Sequence, residues 1–437
     1  MSSRIYRPVH KSLSICFINL PAPHLKTPSA QVPLGILYLA AILNKYHYSV
    51  AVNDLSRYIT DVEALEALPR VGVYGITCTS MQLLHANRFA KLLKLKYPTC
   101  IIILGGPGTL TPEYVDWIYV DSIVLGEAEI SILKILSDIE ELGRPKQIYK
   151  GSPVENLNTL PLPARHLISN QGGDIFAYHR NYIGSSSAQI ITSRGCPFKC
   201  SFCASPKLNP ALRFRNAVSI EDEVKTLVQD FNIKQFRIAD DTFFSKKKRC
   251  YDLLKIFSRY GCVFRISTRV KPLDEDLWRA ARDSGLKEFS FGIESFDKDV
   301  LRGLKKLTTV EDNIRALEMA AKLGISTRIL MMIHTPFQTS KTIALNKEAL
   351  EKLPYTVIAC THFLPLPGSD IWYFPHKYGI NIVNRNLDDY NFYGYGTNGR
   401  RNMKEIFTYT NADTNRLAKE SEDFLLYLEE GGRVNRG

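Results

Sequence analysis

Residues 192–204 read TSRGCPFKCSFCA and place Cys196, Cys200 and Cys203 on one short loop at the end of an apolar run over 188–193. A CxxxCxxC spacing keeps three thiolates close enough to grip one inorganic cluster. A [4Fe–4S] cube is usually held by four thiolates, so three leave one iron open to a small molecule. Zinc is the competing reading, but structural zinc uses four ligands, commonly in paired CxxC or HxxxH units. Neither a second Cys pair nor a His pair lies near the loop. The remaining cysteines (Cys16, Cys78, Cys100, Cys250, Cys262 and Cys360) are scattered singly, as buried small apolar residues are.

Toward the C-terminus, strand-like runs at 188–193, 235–239, 263–267, 288–292, 326–333 and 356–363 alternate with helical patterns. Six such units predict an open, partial (β/α)6 barrel of TIM type, with its site at the carboxyl ends of the strands. Asp240 and Asp241 follow the second of these strands, Arg269 the third, Glu294 and Ser295 the fourth, and His334 the fifth. One of the two aspartates suits capping of the next helix equally well. Lys305 and Lys306 read either as a solvated helix end or as site cations. His334 is either a packed histidine or a substrate contact and proton carrier.

Toward the N-terminus, apolar strands (13–19, 49–53, 71–77, 100–105, 121–125) alternate with amphipathic helices (34–45, 80–96, 127–142), the pattern of an α/β, doubly wound, Rossmann-like sheet. Ser80 is the expected cap of the second helix. Ligands of such sheets bind beyond the carboxyl ends of the strands. Those ends carry Pro33, Leu34 and Gly35; Thr77, Thr79 and Ser80; Gly105 and Gly106; and Gly126 and Glu127. One glycine after a strand is often turn geometry alone, whereas the set together outlines a crevice open to close backbone approach.

The cysteine loop, with Phe202 just before its last Cys, resembles the signature of the radical S-adenosylmethionine (SAM) superfamily. That resemblance implies a [4Fe–4S] cluster on Cys196, Cys200 and Cys203, with SAM chelating the open iron and the reduced cluster cleaving it to a 5′-deoxyadenosyl radical. The cofactor brings the radical chemistry, and the chain brings geometry and shielding. It further implies SAM-contacting roles for Phe202, Asp240, Asp241, Arg269, Glu294 and Ser295, with Arg269 pairing the SAM carboxylate. Lys306 falls at an often basic position, and Lys306 and His334 are the expected catalytic residues.

The N-terminal pattern resembles the cobalamin-binding domain of the cobalamin-dependent radical SAM class, with the hydroxyls of Thr77, Thr79 and Ser80 available to the nucleotide tail. LPLPAR (160–165) and LPLPGS (364–369) resemble the linker and closing motif of that class. Three departures stand out. The DxHxxG motif is absent, in keeping with a class whose cobalt lacks a lower histidine. Gly108 stands where a histidine often follows the double glycine, and His334-Thr335-Pro336 where glycine and PGET-like residues are usual.

At 437 residues, 45% hydrophobic and 23% charged, the chain is long enough for two or three cored domains. No apolar run reaches membrane-span length. The basic N-terminus leads into a first strand rather than a signal peptide, and the cysteine usage fits a reducing cytoplasm. The net charge of +12 is spread along the chain. Its one dense run, 246–249, reads as the solvated face of a helix start. With no nucleic-acid module present, nucleic acid ranks behind an anionic or amphipathic small molecule as a partner.

The expected organisation is a cobalamin-binding domain over 1–150, a Pro- and Gly-rich linker over 151–184, the barrel over 185–370, and a small, mainly helical capping region over 371–437. That last region holds aromatics at 390–395, Arg400 and Arg401, and a helix ending near Glu430. The expected function is methyl transfer from methylcobalamin to an unactivated carbon of a small-molecule or peptide substrate, with an external flavodoxin- or ferredoxin-type electron donor. Cyclisation or rearrangement without net methylation is the alternative. From a different class, a non-catalytic iron–sulfur or zinc protein is the third reading.

Overall fold

Short runs rich in Ile and Val build the first sheet: β1 (Ser14–Asn19), β2 (Ser49–Asp54), β3 (Val73–Thr77), β4 (Ile101–Gly105), β5 (Ser122–Leu125) and β6 (Ile148–Lys150). This computed structural model describes residues 13–21, 32–169, 187–390 and 404–431; the expected features at 170–184, 391–395, Arg400 and Arg401 lie outside the described residues. The chain divides into two compact units, 1–175 and 176–437.

In the first unit the strand order is β2-β1-β3-β4-β5-β6, every pair parallel. Strands β2 and β3 lie on opposite sides of β1, so the order reverses there, and the switch point where such sheets bind ligands lies at the carboxyl ends of β1 and β3. The connecting helices include Leu34–Lys45, Leu83–Lys96 and Ser131–Leu142. Ser80 does not cap the second of these. Ser80 instead opens a single 3₁₀ turn (Ser80–Gln82) that Thr79 caps through a reciprocal box with Gln82, and the helix itself starts after Gln82 with no side-chain cap bond. The short helix Asp61–Glu66 and the edge strand β6 were not expected.

The second unit is a six-stranded parallel sheet of β7 (Ser187–Ile190), β10 (Gln235–Ile238), β11 (Val263–Thr268), β12 (Leu286–Glu294), β13 (Ser326–Ile333) and β14 (Val357–His362), each beside its sequence neighbour. This is the open partial barrel. The first expected barrel strand, 188–193, is split: β7 stops at Ile190, and Ser193–Arg194 (β8) pairs antiparallel with Arg213–Phe214 (β9). A second antiparallel ribbon joins Ile380–Ile382 (β15) to Phe407–Tyr409 (β16).

The barrel's core lies between sheet and helices. Phe236, Phe264, Phe289, Phe291 and Trp278 are fully buried there, Trp278 packing 4.8 Å from Phe289. Each such side chain stabilises the fold by about 2–3 kcal/mol. The C-terminal helix Thr414–Glu430 adds Phe424, Leu425 and Leu428 to this core and packs beside helix Ser340–Lys352. No helix among the described residues is long and apolar enough to cross a membrane.

Candidate active site

The cysteine loop begins where β7 leaves the sheet, and a buried carboxylate fixes that departure. Asp240, two residues past β10, accepts on Oδ1 from Thr192 N (2.7 Å) and Ser193 N (3.0 Å), and on Oδ2 from Thr192 Oγ1 (2.5 Å) and Ser193 Oγ (2.6 Å). Four donors and 3% exposure commit Asp240 to the loop. It neither caps a helix nor offers SAM a free oxygen, so it is a positioning residue. Burial raises its pKa, and Arg249, Ser193 and Thr192 pull it back down.

Arg249 corrects the reading of 246–249 as a solvated face. It is 8% exposed, donates to Thr192 O (2.6 Å) and lies over the Phe214 ring (4.9 Å). Arg215 adds a backbone bond to Thr192 O (3.0 Å). The middle of the loop is held from two further directions: Ser201 N donates to Leu304 O (3.0 Å) and accepts Ile371 N on its carbonyl (3.1 Å). The GLKK turn and the segment after LPLPGS therefore grip the backbone between Cys200 and Cys203.

All nine cysteines are free; the six outside the loop are buried, and the three on it are half-buried. Burial raises the Cys196 thiol and pushes Cys203 up to about 11, so cluster binding must displace their protons. Cys203 Sγ accepts Ser205 N (3.4 Å), and Ser205 Oγ donates to the exposed Asp241 (2.8 Å). Arg269, one residue past β11, donates from Nη1 to Cys200 Sγ (3.3 Å), while its buried Nε and Nη2 have no partner. Unpartnered guanidinium donors among three thiols fit an anionic cluster. Among the described residues no three His, Cys, Asp or Glu side chains converge as a single-ion site requires.

Glu294 ends β12 beyond a bulge, with φ 65. Lys306 Nζ lies 2.7 Å from its Oε1 and 5.9 Å from the Phe202 ring centroid, and both charged residues are buried. A Cβ on Gly292 would fall 2.6 Å from Glu294 Oε1 and 2.7 Å from Lys306 Nζ. Lys306 is thus no solvated helix end. Lys305 is exposed by comparison and sits 3.3 Å from Asp370. Ser295 is fully buried, bonded to Asn346 Oδ1 (3.2 Å) and to Asp297 N (3.1 Å), while Asn313 Nδ2 donates to the carbonyls of Ile293 and Ser295. Ser295, Asn313 and Asn346 hold the turn that aims Glu294. The two asparagines carry no local sequence signal.

His334 leaves β13 at φ 54 and packs on the C-terminal ribbon, stacked on Phe407 (4.7 Å) with Tyr409 at its edge (5.3 Å). Its Nε2 is buried without a partner, and burial, then His362, lowers its pKa to about 4.

At the first unit's crevice, Gly35 and Gly105 have nothing within 4 Å of an added Cβ. Gly106 (φ 89) and Gly108 are small for another reason. A Cβ on either would meet the 77–79 loop at 2.7 Å, the loop to which Gly108 N donates (Cys78 O, 2.9 Å). Thr79 Oγ1 is bonded to Gln82 (3.0 Å), Thr77 Oγ1 lies against Gly106, and the Leu34 side chain is in the core. Pro33 precedes helix Leu34–Lys45, and Gly126 turns at φ 94 so that Glu127 Oε2 accepts Val154 N (2.8 Å).

Family models match both units: "Radical SAM superfamily" over 190–344 and "B12 binding domain" over 25–136. The chain carries both the radical SAM and the B12-binding domain, the pairing found in cobalamin-dependent radical SAM enzymes. An uncharacterized methyltransferase from Pyrococcus horikoshii is 27% identical over 78% of this enzyme and 77% of its own length. The anaerobic magnesium-protoporphyrin IX monomethyl ester cyclase of Rubrivivax gelatinosus is 25% identical over 82% and 68%. The solved structure of the radical SAM methyltransferase TsrM from Kitasatospora setae, with cobalamin and a [4Fe–4S] cluster bound, shares the fold at TM-score 0.68 and 16% identity, covering 97% and 91%. The cofactors of this radical SAM enzyme are accordingly a [4Fe–4S] cluster, SAM and cobalamin. The open Gly35 and Gly105 backbone fits a large ligand at the crevice of its B12-binding domain.

Proposed function

We propose that the protein is a methyltransferase acting on an unactivated carbon of a small-molecule or peptide substrate. The observation that carries this reading is the presence, in one chain, of the three-thiol loop and a doubly wound domain matching the B12-binding model. The printed name of the Pyrococcus relative supports it. When bound, the three cofactors supply a radical that abstracts hydrogen, a transferable methyl group, and renewal of that group from a second SAM.

The chain's own share is positional. Cys196, Cys200 and Cys203 hold three irons. Glu294 and Lys306 offer SAM an acceptor and a cation in fixed register, Asp241 is an accessible acceptor for ribose hydroxyls, and Phe202 walls the pair. Thr77, Ser80, Gly35 and Gly105 border the crevice for the nucleotide tail. His334 is neutral at pH 7, so it serves substrate as a hydrogen-bonding group and not as a cation. The electron comes from an external donor of flavodoxin or ferredoxin type.

Cyclisation or rearrangement is the second reading, favoured by the Rubrivivax relative. Anaerobic turnover with candidate substrates and methyl-labelled SAM separates the two by product mass. A gain of one labelled methylene unit supports methylation, and an unchanged or dehydrogenated product rejects it.

A further inference from the structure

We infer that Arg269 sets the reduction potential of the cluster. Its Nη1 donates to Cys200 Sγ at 3.3 Å, and its guanidinium plane lies over the Phe198 ring, 3.9 Å from the centroid. Phe198 sits between Cys196 and Cys200, so the loop that carries the thiols also clamps the cation. Arg269 is 6% exposed and follows directly on β11 in the middle of the sheet, which fixes the donor on a rigid element.

The role rests on the cluster reading above. One-electron reduction, with the electron from the external donor and no proton moved, adds a negative charge to a cluster already anionic through its thiolates. A hydrogen bond to a ligand sulfur and a buried positive charge beside it both favour the reduced form. Low solvent access strengthens both effects. This action needs no SAM, which separates it from a contact to the SAM carboxylate.

The test is a redox titration of the full chain, reconstituted anaerobically with iron and sulfide, without SAM or cobalamin, and read by electron paramagnetic resonance of the reduced cluster. Arg269→Gln is expected to lower the ratio of reduced to oxidised cluster at a fixed potential at least tenfold, about 59 mV for a one-electron couple. Arg269→Lys recovers part of the shift, because it keeps the charge and loses the planar fork. Phe198→Leu, which frees the guanidinium plane, falls between wild type and Arg269→Gln. A fully iron-loaded Arg269→Gln protein whose ratio stays within twofold of wild type overturns the inference, as does a shift that appears only after SAM is added. If Arg269→Gln does not hold iron, Arg269→Lys and Phe198→Leu decide by the same criterion. A wild-type protein that loads no [4Fe–4S] cluster sinks the functional reading as well, whereas a loaded cluster with an unmoved potential sinks this inference alone.

Discussion

Lys306 Nζ sits 2.7 Å from Glu294 Oε1, and the two charged tips fill the space a side chain on Gly292 would need. Lys306→Met leaves a buried carboxylate alone and is expected to cost about 3–5 kcal/mol in denaturant unfolding. Replacing both residues by Met restores most of that stability, since apolar pairs substitute well for buried ion pairs. SAM affinity, measured by calorimetry, stays lost in the double variant. Wild-type SAM binding by that variant would show the pair to be purely structural.

Asp240 accepts four bonds from Thr192 and Ser193. Asp240→Leu removes both acceptor oxygens and leaves the Thr192 and Ser193 N–H groups buried without a partner. The expected loss is about 2 kcal/mol, with iron retained per chain after reconstitution falling well below wild type. Unchanged iron stoichiometry together with unchanged stability would remove Asp240 from the positioning role.

Gly105 and Gly106 are adjacent and predict opposite outcomes. Gly105→Ala places a methyl in open space at the crevice, so melting is unaffected and cobalamin affinity falls. Gly106→Ala forces φ 89 on a side chain that meets Cys78 O at 2.7 Å, which costs stability of about 1–3 kcal/mol. Thermal melts with and without cobalamin distinguish the two; equal melting losses would contradict the assignment.

His334 has a folded-state pKa of about 4, below its ordinary 6.5. Between those values the unfolded chain binds the extra proton, so stability is full above pH 6.5 and declines as pH falls toward 4. The whole decline is about 3 kcal/mol. His334→Phe should flatten the curve across that window in unfolding experiments, and an unaltered pH profile would mean that burial of the imidazole is relieved some other way.

Local pattern carried the architecture far. Helix Leu34–Lys45 and strand β13 coincide with the runs that periodicity marks, because an amphipathic stripe or a β-branched run states its own partner face. The split of 188–193 was invisible locally. Thr192 N and Ser193 N bond a carboxylate 48 and 47 residues away instead of a neighbouring strand. Arg249 misled for the same reason: a run of four cations looks solvated until Phe214 and Thr192 O are placed against one of them. The three thiols were legible from spacing alone. The asparagines behind Glu294 and the ribbon packed on His334 were not, since only tertiary contact gives them a role.

The double grip on Ser201, through Leu304 O and Ile371 N, ties the backbone between two of the three thiols to segments far away in the chain. A substitution in either distant segment is therefore transmitted to the sulfurs without touching them, so the cysteine loop inherits its precision from parts of the sequence that supply no thiol to it.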